Sequence, residues 1–254
     1  MKITNFNFNS AQSNLKVFKP IQYLNIVAKS QSPVTDPRET KLRVRVVDSM
    51  TGRVDEIIPS INLDVLGEIC SMNEGFYMFD MNHYSINIML HPTSAIYLSN
   101  DKYLEIDLTA DTYMDGTNVT IYGLESPVID KDFVCRYNKF YMAAGELQKT
   151  FVVGENENLI IPSASFDEIV LQYKNGSSCC YTKDEVVSLM MLKNDIVCVS
   201  DKVFHGSVGS ATQQLILGCS SLVGLDIADV DNFTIKRTAS TEAMEVIMID
   251  TIKE

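Results

Sequence analysis

The sequence predicts an all-β protein made of two tandem copies of one β-sandwich. Three observations predict it. Short apolar runs are broken by turn residues about every ten positions, a strand–turn–strand segment occurs twice, and a strand–glycine turn–helix segment also occurs twice.

The strand–turn–strand segment is YLEIDLTADTYMDGTNVTIYGLES, from Tyr103 to Ser126, and its second copy is NFTIKRTASTEAMEVIMIDTIKE, from Asn232 to Glu254. Leu104, Ile106, Thr109, Ala110 and Thr112 align with Phe233, Ile235, Thr238, Ala239 and Thr241. With Tyr113 and Met114 taken as an insertion, Val119 falls on Val246 and Ile121 on Met248. Each copy reads as a hairpin. The first turns through Asp115-Gly116, which supplies the positive φ of a tight turn. The second turns through residues 240–243 without glycine, so its turn differs in type.

Along the chain, residues 1–14 are polar and Asn-rich, with Phe6 and Phe8 interspersed. This is too little apolar surface to fold alone. The segment reads as an arm held by a neighbouring subunit or layer, with Phe6 and Phe8 as its apolar contacts. From Leu15 the pattern is strand: KLRVRVVD at 41–48 sets Leu42, Val44 and Val46 on one face, and FYMFDMN, YSINIML and AIYLSN follow as short apolar runs. Two helices are expected, at 61–70 after Pro59-Ser60 and at 182–193, where Thr182 and Glu185 form a capping box. Each follows a strand and a glycine turn, at Gly52 and Gly176. Gly52 and Gly176 are 124 residues apart, and Leu104 and Phe233 are 129 apart. The near-constant offset gives two domains, 15–132 and 133–254, after the arm, with a boundary near 126–133. One large irregular barrel is the competing architecture.

A chain of 254 residues, 46% hydrophobic, holds a core that needs no disulfide or metal staple. It has no run of 18 apolar residues, and its first twenty residues lack the apolar core of a signal peptide, so a cytosolic site of synthesis and assembly is expected. The six cysteines (Cys70, Cys135, Cys179, Cys180, Cys198, Cys219) form no Cys-x-x-Cys pair and read as reduced, small apolar residues. A net charge of −12 argues against a nucleic-acid groove, which needs a basic stripe. The sequons at Asn118, Asn175 and Asn232 read as chance matches.

The chemistry-bearing residues are sparse. A metal-dependent tandem sandwich enzyme needs clustered histidines, and the chain has only His83, His91 and His205, with His91 before Pro92 as a turn residue. GSVGSA at 206–211 lacks the context of a nucleophile elbow and reads as a loop. No catalytic residue is expected. Asp107, Asp111 and Asp115 are spaced by four, and Asp226, Asp229 and Asp231 fall within six positions. Neither set follows the EF-hand spacing. Both read as solvated acidic loops, with Asp226, Asp229 and Asp231 as the candidate calcium ligands at a subunit contact; no cofactor is otherwise required. A carbohydrate-binding tandem β-sandwich protein is the alternative function, although tryptophan, the favoured stacking platform, is absent.

An eight-strand sandwich of about 125 residues with a helix in one connection suggests a jelly roll. RYNKFYMAAGELQKTFVV (136–153), then FDEIVLQYKNG, the helix and FTIKRTASTEAMEVIMID occur in an order and spacing that resemble the double jelly-roll major capsid proteins of tailless, membrane-containing bacteriophages of the corticovirus type. Within that likeness, 136–153 corresponds to the linker into the second jelly roll. The resemblance implies a homotrimer whose six jelly rolls make a pseudo-hexagonal block. Such blocks tile an icosahedral shell around an internal lipid membrane, with the N-terminal arm near it. Its partners are then further copies and minor capsid proteins, with no direct nucleic-acid binding. Its place is the virion capsid, assembled in the host cytoplasm.

Overall fold

The computed structural model describes residues 1–8, 13–29, 40–72, 77–80, 83–91, 94–109, 117–126, 128–130, 133–162, 165–193, 222–238 and 242–253. These residues form two compact units, Met1–Arg136 with Ile252–Glu254, and Tyr137–Thr251. Asp111, the Asp115-Gly116 turn, Ser240 and Thr241 of the 240–243 turn, GSVGSA, His205, Cys198 and Cys219 lie outside the described residues.

The first unit contains β1 (Lys2–Phe8), β2 (Ser13–Val17), β3 (Tyr23–Lys29), β4 (Lys41–Asp48), β5 (Val54–Asn62), α1 (Leu63–Met72), β6 (Tyr77–Asp80), β7 (His83–Met89), β8 (Ala95–Ile96), β9 (Lys102–Thr109), β10 (Thr117–Leu124) and β11 (Ile129–Asp130). One sheet has the order β1-β10-β3-β7-β6, and the other β2-β9-β4-β5. β11 lies parallel to β8.

The second unit is built from β12 (Phe133–Met142), β13 (Gln148–Val152), β14 (Asn156–Pro162), β15 (Glu168–Tyr173), β16 (Ser178–Thr182), α2 (Lys183–Lys193), β17 (Leu222–Asp226), β18 (Val230–Lys236) and β19 (Met244–Lys253). Its sheets have the orders β12-β19-β14-β17 and β13-β18-β15-β16. Replacing β1, β10, β3 and β7 by β12, β19, β14 and β17, and β2, β9, β4 and β5 by β13, β18, β15 and β16, turns one unit into the other. Each unit is a jelly roll, and the chain is a double jelly roll.

Period-two alternation explains the strands. On β4, Leu42, Val44 and Val46 are buried while Arg43 and Arg45 face outward. The residues that carry the repeat are the cores of both units: Leu104 and Phe233, Ile106 and Ile235, Val119 and Val246, and Ile121 and Met248 are all 0% exposed. Burying such a side chain is worth about 1.5–3 kcal/mol. The turns repeat as well. Asp48 Oδ1 accepts the N–H groups of Met50 and Thr51 at 2.9 and 3.0 Å, and Gly52 follows at φ 71°. Asn175 Oδ1 accepts the N–H of Ser177 at 2.9 Å, with Gly176 at φ 83°. The capping box is present: Glu185 Oε2 accepts the Thr182 N–H at 2.8 Å, and Glu185 N–H donates to Thr182 Oγ1 at 3.4 Å.

Four expectations are corrected. The described part of the expected arm, residues 1–8 and 13–14, is tied to the first unit by strand pairing. β1 pairs antiparallel with β10, from Lys2 opposite Tyr122 to Phe8 opposite Thr117, and β2 pairs with β9. The Met1 ammonium also donates to the Gly123 carbonyl at 2.6 Å. Phe6 and Phe8 are thus strand positions opposite Val119 and Thr117, and the first domain starts before residue 15. The 136–153 segment is no linker either; it supplies β12 and β13, so the second domain's first strands lie there.

The repeated strand pairs are not hairpins. β9 and β10 lie in different sheets, as do β18 and β19, so each turn carries the chain across the sandwich. Finally, helix 61–70 begins two residues later, because Leu42 pairs with Ile61 and Lys41 with Asn62. β5 tolerates Pro59 as an outer strand whose register shifts between Leu42 and Val44.

Gly123 sits where the fold has no room. A Cβ there would meet Ile21 Cγ2 at 2.7 Å and Ile3 Cδ1 at 3.2 Å, and Ile21 is fully buried. Gly123→Ala is expected to destabilise the protein by roughly 1–3 kcal/mol, measured as a shift in the midpoint of urea unfolding.

Candidate assembly site

The histidines and the acidic run weighed in the sequence have the following places in the fold. His91 is fully buried, and its Nδ1 accepts the Ser94 N–H at 3.0 Å, which closes the turn before β8. His83 lies on β7 opposite Lys29. Asp226 Oδ1 accepts the Ala228 N–H at 3.1 Å, and Asp231 Oδ2 accepts from the Asn232 amide at 3.0 Å. The Asp229 carbonyl accepts the Lys174 N–H at 2.9 Å, and Lys174 Nζ donates to the Ala228 carbonyl at 2.6 Å. Among the described residues no three His, Cys, Asp or Glu are gathered as metal ligands, and Asp226, Asp229 and Asp231 shape the β17–β18 turn within one chain. No described helix is long and apolar enough to cross a membrane.

The cysteines divide. Cys135 is buried, as a small apolar residue should be, but Cys179 and Cys180 are exposed on β16. The Glu168 carboxyl is held below its ordinary range by Lys236, which pairs with it across β15 and β18, and by the Cys180 thiol. Partial desolvation and Glu168 push that thiol up.

Two surface regions stand out. The outer face of β2, β9 and β4 is a charge ladder. One Arg45 nitrogen sits 2.7 Å from both Glu105 and Asp107, Arg43 pairs with Glu56 at 2.7 Å, and Asn14 donates to Glu105 at 2.8 Å. At one end of the same unit the register gathers exposed apolar groups. Phe18 follows β2 and is 67% exposed beside Tyr103, Met50 tips the β4–β5 turn at 77%, and Val128 is 58% exposed. Backbone bonds hold this end: Ser49 N–H to Asp101 O at 2.8 Å, Gln22 N–H to Leu124 O at 2.8 Å, and Ala95 N–H to Val128 O at 2.9 Å. Exposed apolar side chains on loops of one end are candidates for contact with other molecules. Their spread over distant loops hid this cluster from sequence reasoning.

In the second unit one buried arginine organises a loop end. Arg237 is 5% exposed, and its guanidinium donates to the carbonyls of Glu146 at 2.6 Å, Glu242 at 3.1 Å and Ala143. Beside it, Asp167 accepts both the hydroxyl and the N–H of Thr238. The loops between β12 and β13, β14 and β15, and β18 and β19 are therefore tied together. No sequence motif announces Arg237.

No protein-family model matches the chain, and no curated protein matches its sequence. Solved structures do. The major capsid protein P2 from bacteriophage PM2 aligns with a TM-score of 0.57 at 10% identity, over 98% of this chain and 94% of that one. The fold is that of a double jelly-roll capsid protein. The STIV MCP aligns at 0.55 and 8% identity, over 97% and 93% of the two chains. A chain from the atomic structure of Sulfolobus turreted icosahedral virus aligns at 0.61 and 6% identity, over 99% and 90%. In each case the likeness runs through both jelly rolls.

Two predictions test the loop end. Arg237→Ala leaves three carbonyls without their charged donor and is expected to cost roughly 3 kcal/mol, read by chemical denaturation. Thr238, through its hydroxyl and then its N–H, holds the Asp167 carboxyl below its ordinary range. A folded pKa below the unfolded value means stability that is present above the unfolded pKa and lost as pH falls through the folded one. Asp167→Asn is therefore expected to flatten the acid side of the stability–pH curve, measured by melting between neutral pH and the acid limit of folding.

Proposed function

We propose that the protein is a structural coat protein, without enzymatic activity, whose copies assemble into a viral shell. The observation that carries the reading is the tandem pair of jelly rolls with one strand order, which aligns end to end with known major capsid proteins. A chain with two similar wedges gives six wedges in a homotrimer, and such a block packs as a hexagon. On this reading trimers tile an icosahedral shell around an internal lipid membrane, with minor capsid proteins filling positions that the hexagonal blocks leave.

The exposed apolar loop end of the first unit supplies contact surface for such packing. The net charge of −12 opposes it at long range. Salt screens that opposition, with a Debye length of roughly 8 Å at physiological ionic strength. A calcium ion bridging carboxylates of two copies would act in the same direction, and Asp226, Asp229 and Asp231 are the proposed contributors.

Light scattering at several protein concentrations is expected to give a trimeric mass, with particles visible by electron microscopy when salt or calcium is raised. A monomer at every concentration, with salt and calcium present, overturns the shell reading. Retention of that monomer on a glycan column would then establish the carbohydrate-binding alternative.

A further inference from the structure

We propose that β16 is a self-pairing edge, through which two copies of the chain join their sheets antiparallel about Cys180. The proposal deepens the shell reading by naming a contact between copies, and rests on that reading only for the contact's place in a lattice.

Among the described residues β16 ends the sheet β13-β18-β15-β16, and Ser178, Cys179, Cys180 and Thr182 on it are exposed. The phase of its hydrogen bonds is fixed. Tyr173 N–H donates to Ser177 O at 2.9 Å, and the register runs on without a shift through Leu171 opposite Cys179 and Ile169 opposite Tyr181. Bonded and non-bonded pairs alternate in an antiparallel ladder. Cys179 and Tyr181 therefore spend their backbone groups on β15, while Ser178, Cys180 and Thr182 turn theirs to the open side. Thr182 confirms the phase, because its N–H is reached from outside by the Glu185 carboxylate at 2.8 Å. Cys180 thus presents an N–H and a C=O outward from the middle of the strand.

Open edges are ordinarily blunted by charge, proline or bulges. The equivalent strand of the first unit, β5, has all three: Asp55, Glu56, Pro59 and two register shifts. β16 itself carries no charge, proline or register shift; only its end is covered, where Glu185 takes the Thr182 N–H, and Ser178 and Cys180 stay open.

A second copy is the occupant that fits. Ser-Cys-Cys-Tyr-Thr is uncharged on a chain of net charge −12, so like molecules meet least opposition there. Twofold pairing about Cys180 is self-complementary: Cys180 faces the partner's Cys180 and Ser178 faces the partner's Thr182. The same register lays the turn bearing Lys174 beside the partner's helix start, which bears Asp184 and Glu185, and symmetry repeats this match. Facing residues of such a pair lie about 5.5 Å apart at Cα, inside the range that a disulfide spans. Oxidation of the two thiols by dissolved oxygen forms one S–S bond, with two electrons and two protons passing to the oxidant.

The test uses the full chain. Mild air oxidation is expected to link wild-type copies into a dimer on a non-reducing gel. Cys180→Ser should abolish that band and retain association by sedimentation velocity. Cys180→Lys sets two ammonium groups face to face and is expected to weaken association by about tenfold or more. Cys180→Pro, which removes only an outward N–H, should weaken it similarly. An unchanged band in Cys180→Ser overturns the pairing, as does wild-type association in a Cys180→Lys chain whose melting curve shows it folded. Particles that assemble as in wild type from the folded Cys180→Lys chain overturn this inference and leave the shell reading standing. A Cys180-dependent dimer that builds no particles upholds the pairing and removes only its place in a lattice.

Discussion

A strand with one apolar face must lay that face on another sheet, and this constraint governs both halves of the molecule. β9 buries Leu104, Ile106 and Leu108, while β10 buries Val119 and Ile121. If the two strands paired with each other, their apolar faces would share one sheet and lack a cover. By crossing to the opposite sheet at the turn, the chain lays the two faces together. The same crossing recurs at β18 and β19, and it generates the strand orders that define each jelly roll.

That constraint explains what was legible in the sequence. Inner strands are covered on one face and paired along both edges, so their alternation is strong, and the repeat was found there. The glycine turns were legible because Gly52 and Gly176 hold positive φ beside an Asp or Asn that bonds the turn backbone. Outer strands were not. KITNFNF has only three apolar residues, Ile3, Phe6 and Phe8, out of strict alternation, and Asn and Thr between them give it the composition of a tail; only its pairing with β10, with a register shift between Lys2 and Thr4, makes it a strand. The linker at 136–153 came from the family resemblance, and the segment's own pattern does not contradict it, because Arg136, Asn138 and Lys139 interrupt the apolar positions of β12. β5 continues past Pro59 because an outer strand has no neighbour on one side to miss the N–H.

The sites follow the same division. A buried histidine in a turn was foreseen as structural, because His-Pro sequences favour turns and no second histidine stood near. Arg237 was not foreseen, since its three acceptors are carbonyls of loops far apart in sequence and backbone oxygens leave no compositional trace. Nor were the vicinal cysteines. Composition assigns cysteine to the interior, and only the sheet order reveals that β16 has no described neighbour beyond β15. Within the acidic run at 226–231 the spacing alone could not show Lys174, whose ammonium and backbone bond the carbonyls of Ala228 and Asp229.

The placement of the repeat within each sheet has an evolutionary consequence. If the two halves descend from one duplicated ancestor, a substitution on β9, β10, β18 or β19 had to satisfy a neighbour on each side and a facing sheet at once, and those strands drifted slowly. Outer strands answer to one neighbour, and there the halves differ: β5 has a proline and two register shifts, while its twin β16 is regular and uncharged. The divergence is concentrated where a domain meets its surroundings. Duplication thus left two scaffolds of one design with separately evolvable borders, and a single gene could supply two different lateral contacts from one folding solution.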